Sequence, residues 1–289
     1  MKARVVTDSG SGLTAREAKA AGIDYLPLQI LVGDRTFLDG VDVTPDLLYE
    51  KLSEGLMPQT SLPPMGMVED LFEDYAKEGV TDIVLITLSS GLSSTNENIQ
   101  SAAKRHGINC HTTDIWSTLG TQRYYALAAQ NLLEQGVEPA EIIRRIEKSA
   151  AESAGYLIPE DLNHLAAGGR LTPMAAKLGG LLKIKPILLV GKETEGKVGT
   201  YEKVRTMSKA VQKATDTVLS QLKPDENYCL VVLDGGSKDA EIAKTAFAKA
   251  RPDALLWLDE PMYPVIACHT GTGSVGVQYI PRLEGENLA

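Results

Sequence analysis

The segment Ile83-Val84-Leu85-Ile86-Thr87-Leu88, running into Ser89-Ser90-Gly91-Leu92-Ser93-Ser94-Thr95, constrains the fold of this chain most. An apolar, β-branched run of that length, bounded by turn residues, is a buried strand. The hydroxyl-rich turn leads into a helix that Ser94 with Glu97 would open as a capping box. Hydroxyls and the free N–H groups of a helix N-terminus together make a place for an anion. That anion would sit just beyond the carboxyl end of the strand, where ligands bind in open α/β sheets. Two readings of Ser93 and Ser94 stand side by side here: turn and cap residues, or contacts to the anion.

The rest of the chain repeats the same alternation. Arg4–Thr7 is a short strand ending at Asp8-Ser9-Gly10-Ser11-Gly12, and Thr14 with Glu17 fits a second capping box. Tyr25 to about Thr44 reads as short strands and turns. Pro45–Glu54 follows as a helix capped by Thr44, then Gln59–Pro64 as a polar loop and Met65–Glu78 as a helix. After the strand at 83–88 come a helix to about His106, a strand near Asn109–Thr113, and helices over 119–135 and 139–153. This β-α-β-α order implies a largely parallel sheet with helices on both faces.

The pattern restarts after Gly155. A short helix is expected over Pro159–Leu165, a turn over Ala166–Leu171, and a helix from Thr172-Pro173 to about Leu182. Lys185–Val190 and Lys197–Val204 read as paired strands, and Thr206–Leu222 as a helix. Strands at Tyr228–Asp234, Leu255–Asp259 and Gly276–Pro281 and a helix over Lys238–Ala250 complete the pattern. With 289 residues, two domains are the natural reading. The fold class is α/β: an N-terminal α/β domain over 1–155, with a small inserted segment at about 23–58, and a C-terminal α/β domain with a mixed sheet over 156–283. Residues 284–289 are expected to form a loose tail.

Composition excludes several functions. A net charge of −9 argues against nucleic acid as a partner, and no apolar run reaches the roughly 20 residues that span a bilayer. The start, Met1-Lys2-Ala3-Arg4-Val5-Val6-Thr7, reads as a strand without the core of a signal peptide, so a cytoplasmic protein without stable membrane insertion is expected. Cys110, Cys229 and Cys268 are odd in number and widely spaced, as suits reduced thiols. His106, His111, His164 and His269 share no metal-ligand spacing, so no metal or cofactor is expected. Gly271-Thr272-Gly273-Ser274-Val275-Gly276 spells G-x-G-x-x-G but lacks the following helix and acidic residue of a dinucleotide site.

Single residues are ambiguous. His269 is either a structural imidazole satisfied by backbone or a ligand-side group, and a Ser93–His269 nucleophile–base pair is an open alternative. Arg170 follows Gly168-Gly169 and precedes a helix cap, a setting that aims its guanidinium in a fixed direction.

Six pieces taken in order resemble the DegV family of bacterial fatty-acid-binding proteins. They are Val6-Thr7-Asp8-Ser9, Gln59-Thr60-Ser61-Leu62-Pro63-Pro64, Leu88–Thr95, Gly168-Gly169-Arg170-Leu171, Ile184-Lys185-Pro186-Ile187-Leu188 and His269–Gly276. Ser94-Thr95, Leu62 and Thr272 depart from the family's usual Gly-Thr, Gln and Pro at loop-shape positions. The resemblance implies a long-chain fatty acid of the palmitate or oleate type in an apolar tunnel. Its carboxylate would be held by the hydroxyls of Thr60 and Ser93, with Ser61 beside Thr60 and the Ser94 N–H as a further donor. Arg170 and His269 would lie near the head group. It also implies a non-catalytic carrier that presents the acid to a fatty-acid kinase for acyl-phosphate formation; a monomer is the default expectation. The alternatives are a serine acyl hydrolase using Ser93 and His269, and a phosphocarrier or sensor acting through His269.

Overall fold

The computed structural model describes residues 2–177 and 184–288. The first half contains β1 (Ala3–Asp8), α1 (Ala15–Ala20), β2 (Asp24–Leu26), β3 (Gln29–Val32), β4 (Arg35–Leu38), α2 (Pro45–Ser53) and β5 (Gln59–Ser61). It continues through α3 (Met65–Glu78), β6 (Asp82–Ile86), α4 (Thr95–Arg105), β7 (Asn109–Thr112), α5 (Gly120–Glu134) and α6 (Pro139–Ala150). Then follow β8 (Ala154–Ile158), α7 (Leu162–Ala167), α8 (Pro173–Ala176), β9 (Lys185–Gly191), β10 (Gly199–Val204) and α9 (Met207–Gln221). The chain closes with β11 (Tyr228–Asp234), α10 (Ala240–Ala250), β12 (Leu255–Pro261), α11 (Pro264–Thr270) and β13 (Val275–Pro281).

Three sheets result. The first, in order β2-β1-β6-β7, is parallel throughout. Every residue of β6 is buried, because helices cover both faces of a parallel sheet. The second sheet runs β10-β9-β8-β13-β11-β12 and is mixed, antiparallel except for the β11–β12 pair. A small antiparallel sheet, β4-β3-β5, is formed by chain between β2 and α3.

The layers follow from which side chains each strand turns inward. Val6, Ile83 and Leu85 of the first sheet meet Phe72 and Tyr75 of α3 and Ile99 of α4. On its other face, Val5, Val84 and Ile86 join Tyr124, Tyr125 and Leu132 of α5 and Ile142 and Ile146 of α6. The same cluster takes in Cys229, Val231 and Leu233 of β11 and Ile280 of β13, so α5 and α6 lie between the two large sheets. The far face of the second sheet packs on α9 and α10 through Val211, Ala214, Val218, Ala243 and Phe247.

Several local expectations need correction. Gln59–Ser61, read as loop, is β5, a polar strand that exists through its pairing with β3. β8 is not signalled in the sequence, and Gly155 lies inside it. The helix expected at Pro159 starts at Leu162, where the Asp161 carboxylate accepts from the N–H groups of Asn163 and His164. α11 occupies a stretch to which the sequence pattern assigns no element. The helix opened by Thr172 is described to Lys177, and its expected continuation to Leu182 lies largely outside the described residues. The loose tail is instead packed down: Leu283 and Glu286 are buried, Glu286 accepts from Arg282 and Tyr124, and Arg282 also donates to the Leu288 carbonyl. Among the described residues no helix is long and apolar enough to cross a membrane.

Candidate functional site

The carboxyl ends of β1 and β6 adjoin at the point where strand order reverses in the first sheet. The buried Asp8 carboxylate bridges them, accepting from the N–H of Gly10 at 2.7 Å, of Leu88 at 3.1 Å and from Gln122 Nε2 at 3.0 Å. Burial pushes the Asp8 carboxyl up to about 6, against the pull of those donors. Asp8 thereby fixes where the chain leaves β6 and where the Ser89–Ser94 turn begins.

That turn is capped differently from the sequence expectation. Ser94, at ψ 17°, is not in the extended conformation that a capping side chain needs, and its hydroxyl makes no cap bond. Ser93 does this instead: its Oγ accepts from the Thr95 N–H at 3.3 Å and pairs with Thr95 Oγ1 at 2.8 Å. The Ser94 carbonyl accepts from Asn98, and its N–H enters none of the described backbone bonds.

Thr60, Ser61, Ser93, Ser94, Arg170 and His269 all line one cavity of about 440 Å³. Four separate pieces of chain bring them together. Thr60 and Ser61 come from β5, the serines from the turn before α4, Arg170 from the turn after α7, and His269 from the last turn of α11. The Thr60 hydroxyl and His269 Nε2 are 2.8 Å apart. Burial, then the charges of Arg170 and His164, push the His269 imidazole down to about 4, so it is neutral at pH 7. His164 donates its Nε2–H to the Cys268 carbonyl at 2.8 Å, which steadies the end of α11.

Gly168 explains the approach of Arg170. A Cβ there would lie 2.9 Å from His269 Nδ1, and Gly169 turns the chain at φ +73°. The guanidinium donates to the Gly168 carbonyl, and no carboxylate among the described ion pairs neutralises it. Among the described residues the mouth therefore carries one cation without an ion-pair partner, a neutral imidazole and several hydroxyls.

Away from the mouth the walls are aliphatic, with Leu28, Leu88, Leu92, Leu157, Leu165, Val190, Leu233, Met262 and Val265 contributing. Three polar residues in the lining, Ser117, Thr118 and Gln278, had not been singled out in the sequence. Gln278 is 5% exposed; its Oε1 accepts from the Thr121 N–H at 3.1 Å and its Nε2 donates to the Thr118 carbonyl at 3.0 Å. One glutamine in the otherwise apolar Val275–Ile280 strand was the available signal for this contact. Among the described residues, no three His, Cys, Asp or Glu side chains converge to hold a metal ion.

The sheets and the cavity define an α/β binding protein, with a pocket apolar along its length and anion-seeking at one end. The chain belongs to the DegV family: the family model, described as an uncharacterised protein of the DegV family, matches residues 2–282. A DegV domain-containing protein of Staphylococcus aureus (strain COL) is 32% identical over 286 residues, covering 98% of each chain. DegV of Bacillus subtilis, a fatty acid binding protein, superposes with a TM-score of 0.87 at 28% identity, over 98% of this chain and 100% of that one. The B3 protein of Streptococcus pneumoniae fatty acid kinase, loaded with linoleic acid, shares the fold at a TM-score of 0.78 and 19% identity, over 97% and 100% of the two chains.

Proposed function

We propose that this chain binds a long-chain fatty acid of the palmitate or oleate class, with its tail in the aliphatic cavity. Its carboxylate would lie against the hydroxyls of Thr60 and Ser93 and the N–H of Ser94, with Ser61, Arg170 and His269 around it. The observation that carries this reading is the polarity of the cavity: aliphatic walls ending at a guanidinium, unpaired among the described residues, beside hydroxyl donors. Each buried methylene contributes about 0.8 kcal/mol, so the tail dominates gross affinity. Each charge-assisted hydrogen bond adds about 1.5–3 kcal/mol and sets which end points outward. The fatty-acid-binding relative of Bacillus subtilis supports the same ligand class.

The carrier role rests on exposure. Ser61 and Ser94 at the head-group end are exposed, whereas Ser117 and Gln278 are buried. A kinase could thus reach the carboxylate, whose oxygen would attack the γ-phosphorus of ATP to give an acyl phosphate and ADP. The hydrolase alternative is less well served, because His269 Nε2 bonds Thr60 while Ser93 bonds Thr95.

Mass spectrometry of lipid extracted from the purified protein should find a stoichiometric long-chain acid. The Thr60→Ala/Ser93→Ala variant should hold it at least about tenfold more weakly, as expected for losing charge-assisted bonds. Unchanged affinity would remove these two hydroxyls from the site. Hydrolysis of activated esters that vanishes in Ser93→Ala, or phosphate transferred to His269 from a labelled donor, would replace the carrier reading.

A further inference from the structure

A second cleft, of about 310 Å³, opens on the other face of the second sheet. Side chains alternate along a strand, so Leu157 and Gln278 face the first cavity, while the rings of Tyr156, which also borders that cavity, and Tyr279 pack on the opposite face. There they line the cleft with Tyr201 and Tyr228. Tyr156 and Tyr201 meet edge to face with centroids 5.0 Å apart, and Tyr228 and Tyr279 lie at 6.4 Å.

The polar groups are unequally satisfied. Tyr228 is committed, donating to Glu226 and accepting from the Lys223 N–H. Tyr156 and Tyr279 are largely buried, but their hydroxyls are open to the cleft and enter none of the hydrogen bonds among the described residues. Burial first, then the neighbouring phenols and Glu193, hold the Tyr156 hydroxyl protonated above its ordinary value, and burial does the same for Tyr279.

The charges are unequal too. Lys223 already bridges Glu152 and Glu226 from the rim. Lys192 turns away, with its ammonium 5.2 Å from the centre of the Trp116 ring. Glu193, exposed on the turn after β9, enters none of the described ion pairs. Among the described residues the cleft thus offers aromatic walls, two phenol oxygens able to accept and one carboxylate outside any ion pair, while its cations are engaged.

We propose that this cleft binds a primary alkylammonium. The stem would lie along Tyr156, Tyr201 and Leu189, and the head would donate to Glu193 and to the Tyr156 and Tyr279 hydroxyls. Aromatic faces attract such a cation, and the N–H donors match the unused acceptors. A free aliphatic amine and a lysine side chain of another protein carry the same group.

The test is titration of protein carrying ¹³C-labelled tyrosine with n-pentylammonium, followed by NMR. Saturable shifts at Tyr156, Tyr201 and Tyr279 are expected, with no matching response to 1-pentanol, the neutral analogue. Glu193→Gln should weaken binding by about two- to fivefold, the scale of an exposed charge pair. Tyr279→Phe should weaken it by about threefold or more, the scale of one hydrogen bond. Nα-acetyl-lysine N-methylamide identifies the source: tighter binding than n-pentylammonium supports a protein lysine, and weaker binding supports a free amine. An absence of shifts, shifts confined to the cavity of the first site, or equal binding of 1-pentanol would overturn the proposal. Glu193 is exposed, so its variant tests charge without endangering the fold.

Discussion

At the residue scale, the contact between Thr60 and His269 decides what the mouth of the cavity can do. A neutral imidazole that donates from Nε2 leaves the Thr60 hydroxyl free to donate to a carboxylate. Protonation would place a second positive charge beside Arg170, in a site that burial already makes unfavourable for charge. The sign is fixed by the folded value of about 4 against an ordinary 6.5. The folded protein binds fewer protons than the unfolded chain between these values, so this contribution is full above pH 6.5 and is lost as pH falls towards 4. Its size is up to roughly 3 kcal/mol. Asp8 acts in the opposite sense: raised from 3.8 to about 6, it favours the folded state as pH falls through that window. The clean measurement is therefore a difference. Urea unfolding of the wild type and of His269→Gln at pH 7, 6 and 5 should show the wild type losing more stability on acidification. Parallel pH profiles would mean that the imidazole is not held neutral by its surroundings.

Residue identity was legible at this site, while residue role was less so. Thr60, Ser61, Ser93, Ser94, Arg170 and His269 meet at one cavity although they are spread over 210 positions, from 60 to 269. The sequence reading nevertheless gave the cap to Ser94, because spacing to Glu97 reveals a possible bond but not the ψ angle that permits it. Ser93 carries that function, so Ser93→Ala removes a helix cap as well as the hydroxyl proposed to donate to the ligand. A stability loss of about 1 kcal/mol should accompany its effect on affinity.

At the element scale, legibility followed local chemistry. Thr14 with Glu17, and Thr44 with Pro45, formed the caps that their spacing implies, since every partner lies within four residues. β5 and α11 were missed because partners far along the chain create them: Gln59–Ser61 becomes a strand against β3, and the seven residues of α11 are too few to show a helical period. The turn between β9 and β10 shows the same dependence on distant contacts. Gly196 sits there at φ +70°, and a Cβ on it would approach Ser89 Oγ to 1.7 Å. Gly91 is pressed from the other side, with a Cβ falling 2.4 Å from the Glu195 carbonyl. Leu92 and Val198, which lie close to these glycines in the chain, line the cavity, so the close approach is expected to hold that wall in place. Gly196→Ala should cost roughly 2–4 kcal/mol, from left-handed strain plus overpacking. Gly55→Ala, at φ +79° with nothing within 4 Å, should cost only the strain, about 1–2 kcal/mol. Thermal unfolding of both, with fatty-acid titration of the first, separates the two effects: equal losses would mean that the turn does not close the wall.

At the scale of the whole molecule, the change of pattern near Gly155 suggests two domains, while the packing suggests one cooperative body. Tyr124 and Tyr125 of α5 touch a core that contains Val5 and Ile86 from the first sheet and Cys229, Val231 and Ile280 from the second. The cavity spans the same divide, with Thr60 and Ser61 from the small sheet, Leu88 from the loop that leaves the first and Leu157 and Leu233 from the second. A ligand there binds only when all three sheets are in place, so it stabilises the assembled chain by mass action, about 2.7 kcal/mol at a free concentration a hundredfold above its Kd. Calorimetry of delipidated protein should give a single transition whose calorimetric and van't Hoff enthalpies agree. Adding back palmitate or oleate should raise Tm by several degrees and keep the transition single. Two transitions, with only one responding to the acid, would show that each half closes its own core and that the acid contacts one of them.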